Sequence, residues 1–135
     1  MIASKLTKEI EVFENQRFVL TQFSCKSLLP TDRRAYSTEC GKISWNTTEE
    51  AEKALISSGW EWVPISWSTD YEYPNTDAEG WSYDVDFGNF QNASGVKKMI
   101  HFVRRRRMTR MQTFDGNYLF KKKNHHFFYQ HISVF

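Results

Sequence analysis

Val103-Arg104-Arg105-Arg106-Arg107-Met108-Thr109-Arg110 is the stretch whose reading decides the fold. Four consecutive arginines and a fifth close behind usually mark a nuclear signal or a nucleic-acid patch. Here the run lies between Met99-Ile100-His101-Phe102 and Met111, and that apolar setting reads as a β-strand. Successive side chains of a strand face opposite ways, so Arg104, Arg106 and Arg110 share one face and Arg105 and Arg107 the other. Trp60, Trp62, Trp67 and Trp81 precede the run. A guanidinium over an indole face contributes roughly 0.5–2 kcal/mol and covers apolar surface with its stem. Arginine on both faces of one strand is then structural, provided the rings lie within reach.

Composition supports a sheet. The chain has 135 residues, a size that reads as one domain over 1–135 with a single core. Aromatic content is high at 16%, whereas alanine and leucine are too scarce for a helical bundle. The net charge of +2 hides an asymmetry. Residues 1–95 hold 8 basic against 15 acidic side chains, and residues 96–135 hold 10 against 1. Either basic strands lie across acidic ones or a basic face is aimed at an anionic partner. No apolar stretch approaches the roughly 20 residues of a membrane span, and the N-terminus lacks the apolar run of a signal peptide. The expectation is a cytoplasmic chain, peripheral on any membrane it meets, with Cys25 and Cys40 as free thiols.

Residues 8–23 read as one long strand, with Ile10 and Val12 alternating with glutamates. Thr47 and Glu50 have capping-box spacing, which predicts a short helix over 47–57 that ends before Gly59. Gly59 to Trp67 is extended, with Pro64 confining it to an edge or an irregular strand. Trp81, Tyr83, Val85 and Phe87 alternate with polar residues and predict a strand over 81–87. A second long strand is expected over 97–112. Asp115-Gly116 signals a hairpin turn, and residues 115–135 read as an extension that adds strands.

Five motifs also carry a family resemblance. Glu14-Asn15-Gln16-Arg17 and Leu28-Leu29-Pro30-Thr31-Asp32-Arg33 come first. Gly59-Trp60-Glu61-Trp62, then Glu79-Gly80-Trp81-Ser82-Tyr83 with Asp86-Phe87, and finally Val103 to Arg107 follow in order. Together, over residues 14–110, they resemble the dysferlin domain. That resemblance implies a mainly β fold whose long antiparallel strands are held by stacking of Arg17, Arg33, Trp60, Trp62, Trp67, Trp81, Arg104, Arg105, Arg106, Arg107 and Arg110. Such domains occur in membrane-repair proteins, in fungal peroxisomal membrane peroxins and in an autophagy protein. A small stand-alone version acts in prospore-membrane extension during sporulation, and the chain is most similar to that version.

The function expected on this basis is a non-enzymatic membrane-surface adaptor. It would bind an anionic lipid, with phosphatidic acid as the candidate, or a membrane-associated protein partner. Lys97, Lys98, Lys121, Lys122 and Lys123 are the candidate lipid-binding residues. No cofactor or metal is expected, because His125, His126 and His131 lack supporting ligands at suitable spacing. The alternative is a nucleic-acid-binding β domain that stacks bases on exposed rings. A third reading, a glycosidase, would need two of Glu61, Glu79, Asp84 and Asp86 to face each other across a cleft.

Overall fold

The computed structural model describes residues 5–88 and 90–115. The chain is mainly β, with eight strands in one antiparallel sheet and a single short helix among these residues. The axis of the sheet is a two-stranded ribbon of β1 (Lys5–Val19) and β8 (Val103–Asp115). The two are paired without interruption from Lys5 opposite Asp115 to Arg17 opposite Val103. Between them in sequence come β2 (Gln22–Ser24), β3 (Tyr36–Ser37), β4 (Ser44–Trp45), the helix α1 (Thr48–Ala54), β5 (Trp60–Trp62), β6 (Ser68–Thr69) and β7 (Ser82–Asp84). β2 and β3 hydrogen-bond the outer edge of β1, and β4 continues from β3. β5, β6 and β7 line up along the outer edge of β8. The ribbon therefore acts as a spine about 40 Å long to which short strands attach on either side.

The core is small and partly polar. Val12, Phe13, Trp81, Tyr83, Phe87, Phe90 and Val103 are buried, together with Asn15, Ser37, Gln112 and Arg105. Asn15 stitches a loop to the spine. Its backbone N–H donates to Ala35 O at 2.8 Å, and its Nδ2 donates to Arg34 O and Ser37 Oγ, each at 2.9 Å. At the end of α1, Gln112 Nε2 donates to Leu55 O at 3.1 Å. A buried amide from the spine thus satisfies a carbonyl that a helix end leaves free.

Several boundaries differ from the sequence expectation, each for a local reason. The strand expected over 8–23 ends at Val19, where Leu20 takes a φ of 61° and β2 folds back so that Val19 faces Gln22. The helix expected over 47–57 does start at its cap, where Thr47 Oγ1 accepts from Glu50 N–H at 3.1 Å. It ends at Ala54, because Leu55 leaves helical geometry to meet Gln112. The strand expected over 81–87 shrinks to Ser82–Asp84. Asp84 and Asp86 accept backbone N–H groups from Val85 and Gly88, which turns the chain. The alternation there does not separate buried from exposed faces, because Ser82 and Asp84 are buried along with Tyr83. The strand expected over 97–112 starts only at Val103, since His101 N–H donates to Lys98 O and closes a turn. The proposed strands of 115–135 lie outside the described residues, beyond Asp115 itself.

Candidate functional site

The register of the spine sets where each arginine goes. On one face, the Arg104 guanidinium lies 3.8 Å from the Trp81 ring centroid and that of Arg106 lies 4.4 Å from it. Arg104 also covers Phe23 at 4.5 Å. Further along the same face, Arg110 lies 4.9 Å from Trp62, whose ring packs on Trp67 at 5.5 Å. Gly80, with a φ of 87°, admits Trp81 to this stack: a Cβ there would meet Thr69 Cγ2 at 2.7 Å.

On the opposite face, Arg105 is buried between Phe13 at 4.6 Å and Phe90 at 4.3 Å, and its Nη1 donates to Glu39 O at 2.8 Å. Among the described residues no ring faces the Arg107 guanidinium. It is held by Glu11 at 2.6 Å, Asp70 at 2.8 Å and Glu9 at 3.2 Å. Burial would ease its proton off, but hydrogen bonds to Glu11, Asp70 and Glu9 outweigh burial and raise its pKa.

Arg17 and Arg33 belong to a second cluster around Phe87, at 6.0 and 5.3 Å. Arg33 donates to the carbonyls of Glu39, Cys40, Phe87 and Gly88, tying two loops together. Burial and the nearby Arg105 charge lower its pKa. Its guanidinium occupies the space a Cβ at Gly41 would need, 2.5 Å away, and Gly41 has a φ of 76°. Trp60 is not met by an arginine among the described residues. Lys8 Nζ lies 4.0 Å over its ring and Phe114 packs at 5.4 Å.

Ion pairs between Arg106, Arg107 and Arg110 and acids of the first 95 residues take up part of the charge asymmetry. Arg106 pairs with Glu14 at 2.7 Å across the spine, Arg110 with Glu52 at 2.8 Å, and Arg17 with Asp32 through two bonds of 2.7 Å. Arg104 donates to Gln16 at 2.8 Å. The phenylalanines that sandwich Arg105, and the acids at Glu11, Glu52 and Asp70, were not singled out from sequence, and Glu14 was named only as part of a motif. Along β1, Glu9 and Glu11 share one face and Glu14 lies on the other, a pattern readable in the sequence that supplies acids to both faces of the arginine strand.

Asp32 illustrates the electrostatics. Burial pushes its carboxyl up, but Arg17 and the Leu29 N–H outweigh that and hold it below the usual carboxylate range. Asp70 and Asp77 are also held low, Asp70 first by the Glu72 N–H and then by Arg107, and Asp77 by Tyr83 and two backbone N–H groups against the effect of burial. A depressed carboxyl contributes stability that is fully present above its unfolded value near 3.9 and is lost as pH falls through the folded value. Urea midpoints are therefore expected to be flat above about pH 5 and to fall steeply below about pH 4. Asp32→Asn should lower stability at neutral pH by about 2–3 kcal/mol and shallow the acid slope. An unchanged slope would remove Asp32 from the acid response.

Of the candidate lipid contacts, Lys97 and Lys98 are exposed in the loop before β8. Lys97 Nζ lies 4.4 Å over the Phe18 ring. Lys121, Lys122 and Lys123, with His125, His126 and His131, lie outside the described residues. Of the four acids of the glycosidase reading, Asp84 and Asp86 line one shallow pocket, and Glu61 lies far from them. Glu61 faces Thr113 and Asp84 faces Val103, about 30 Å apart along β8.

The Pex24p family model, described as an integral peroxisomal membrane peroxin, matches residues 2–110. The chain is similar to a tectonin beta-propeller repeat-containing protein of Drosophila melanogaster, 39% identical over 71% of this chain and 7% of that protein. Tectonin beta-propeller repeat-containing protein 1 of Homo sapiens is 38% identical over 73% of this chain and 8% of its own length. Peroxisomal membrane protein PEX32 of Ogataea parapolymorpha is 29% identical over 77% of this chain and 29% of its length. The chain thus spans less than a tenth of the tectonin relatives and less than a third of PEX32. These matches overturn the dysferlin-domain reading, and the sporulation and prospore-membrane assignments fall with it. The five motifs describe how an arginine–aromatic sheet is stacked, and stacking chemistry alone does not say which family uses it. Among the described residues no helix is long and apolar enough to cross a membrane. The membrane association expected from sequence agrees with a match to membrane peroxins, and by the extent of that match the chain belongs to the Pex24p family.

Proposed function

We propose that this chain is a non-enzymatic module that works at the surface of a membrane, the peroxisomal membrane by family, and docks there on acidic phospholipid. One observation carries the reading. The arginines of the basic strand are engaged by rings and carboxylates within the sheet, whereas Lys97 and Lys98 stand exposed at one end beside exposed apolar side chains. A basic residue near an acidic leaflet contributes about 1 kcal/mol, an attraction that salt screens. Against a nucleic-acid role stands the covering of Trp81 by Arg104 and Arg106, which leaves a base no open face on that ring. Against a hydrolase that pairs Glu61 with Asp84 stands the distance between them along β8.

Flotation with vesicles tests the reading. Binding is expected to phosphatidylcholine vesicles that contain phosphatidylserine, with little to phosphatidylcholine alone, and to weaken as salt rises. Charge reversal by Lys97→Glu with Lys98→Glu should cost roughly tenfold or more in affinity. Absence of flotation at low salt would refute direct lipid docking and leave a membrane-bound protein as the contact.

A further inference from the structure

The end of the spine opposite Asp115 carries two adjacent apolar loops. The turn between β1 and β2 exposes Val19 and Leu20, and the loop before β8 exposes Val96, Met99, Ile100 and Phe102. The loops touch: Phe18 N–H donates to Phe102 O at 2.7 Å, and Lys97 Nζ covers the Phe18 ring. Leu20 is 90% exposed and Met99 91%.

Single exposed apolar residues are ordinary on a protein surface. Six of them gathered at one end of the spine are a better candidate for a contact surface. Leu20 also has a φ of 61°, a left-handed conformation that is strained for a residue with a Cβ. Glycine or asparagine would suit that position better, and leucine gains almost no burial there to offset the strain. A local rule broken without gain to the fold points to a role outside it.

The second loop is held in shape. His101 N–H donates to Lys98 O, and Lys98 N–H donates to His101 Nδ1, both at 3.0 Å. The His101 ring is buried and stacks on Tyr83 at 6.5 Å. Met99 and Ile100 occupy the crest of this clamp.

We propose that this double loop inserts into the headgroup–acyl boundary of an acidic bilayer. Leu20, Met99 and Ile100 enter the apolar layer, and Lys97 and Lys98 stay at the level of the phosphates. Apolar side chains flanked by Lys97 and Lys98 match both layers of such an interface, and the depth required, about 5–10 Å, is that of one loop. The inference rests on the membrane-surface function proposed above and adds a mode of binding to it. Charge attraction alone disappears at high salt, whereas apolar insertion does not.

The test uses the full chain with the exposed Cys25 and Cys40 replaced by serine. An environment-sensitive fluorophore is attached through Met99→Cys, Leu20→Cys or, as the control, Ser58→Cys near the far end. On phosphatidylcholine–phosphatidylserine vesicles, the labels at 99 and 20 should shift to the blue and be quenched by nitroxide-bearing lipid, and the label at 58 should do neither. The Met99→Asp, Ile100→Asp double variant should bind these vesicles about tenfold or more weakly with an unchanged melting temperature, since both side chains are exposed. Vesicle-bound protein whose label at 99 remains in water overturns insertion and leaves surface docking intact. Failure to bind vesicles at all overturns both.

Discussion

Replacing Arg105 with alanine should destabilise the protein by about 3–5 kcal/mol, a fall on the order of 10 °C in melting temperature for a domain of this size. Three losses combine. The guanidinium leaves the gap between Phe13 and Phe90, two cation–π contacts of roughly 0.5–2 kcal/mol each vanish, and the Glu39 carbonyl loses the shorter of its two donors, keeping Arg33. One gain opposes them. Arg105 is a buried charge whose pKa is lowered by burial, and it disfavours the charge on Arg33. Its Nε also meets no acceptor among the described residues. Arg105→Met separates the two contributions, because it fills the gap without the charge. If packing dominates, the methionine variant recovers more than half of the loss seen with alanine. If the charge dominates, it recovers little. Urea denaturation decides, and a loss below about 1 kcal/mol for the alanine variant would contradict the sandwich.

Trp81→Ala should cost a similar amount, about 3–5 kcal/mol. Trp81 is almost wholly buried and carries two guanidinium groups on its ring, while Arg104 and Arg106 retain Gln16 and Glu14 as polar partners. Most of the loss therefore comes from apolar burial, with a smaller part from the stack. Trp81→Phe keeps a ring and should cost less than half as much. A double-mutant cycle of Trp81→Ala with Arg104→Met isolates the stack, with a coupling of about 0.5–2 kcal/mol expected. Zero coupling would mean that the arginine merely lies on the indole without being held by it.

Much of this arrangement was legible in sequence. The pleat of a strand assigns alternate residues to alternate faces, and the structure has Arg104, Arg106 and Arg110 over tryptophans on one face with Arg105 and Arg107 turned to the other. The Thr47 cap depends on a side chain and a backbone group three residues apart, so it too could be read locally. Family was harder. Short tryptophan and arginine motifs were read as a dysferlin domain, whereas the match across residues 2–110 is to a peroxin family.

Sequence by itself determined the strand character of the two segments that form the spine, the mainly β class and the division of the arginines between two faces. Those features follow from nearest-neighbour stereochemistry. Tertiary structure decided what each face meets. Phe13 and Phe90 rather than tryptophan enclose Arg105, carboxylates rather than a ring take Arg107, and Lys8 rather than arginine covers Trp60. It also decided that Leu20 and Met99 share one exposed end. These partners lie tens of residues apart in the chain. Only the antiparallel register of β1 on β8, and the loops that return to the spine, brings them within van der Waals reach.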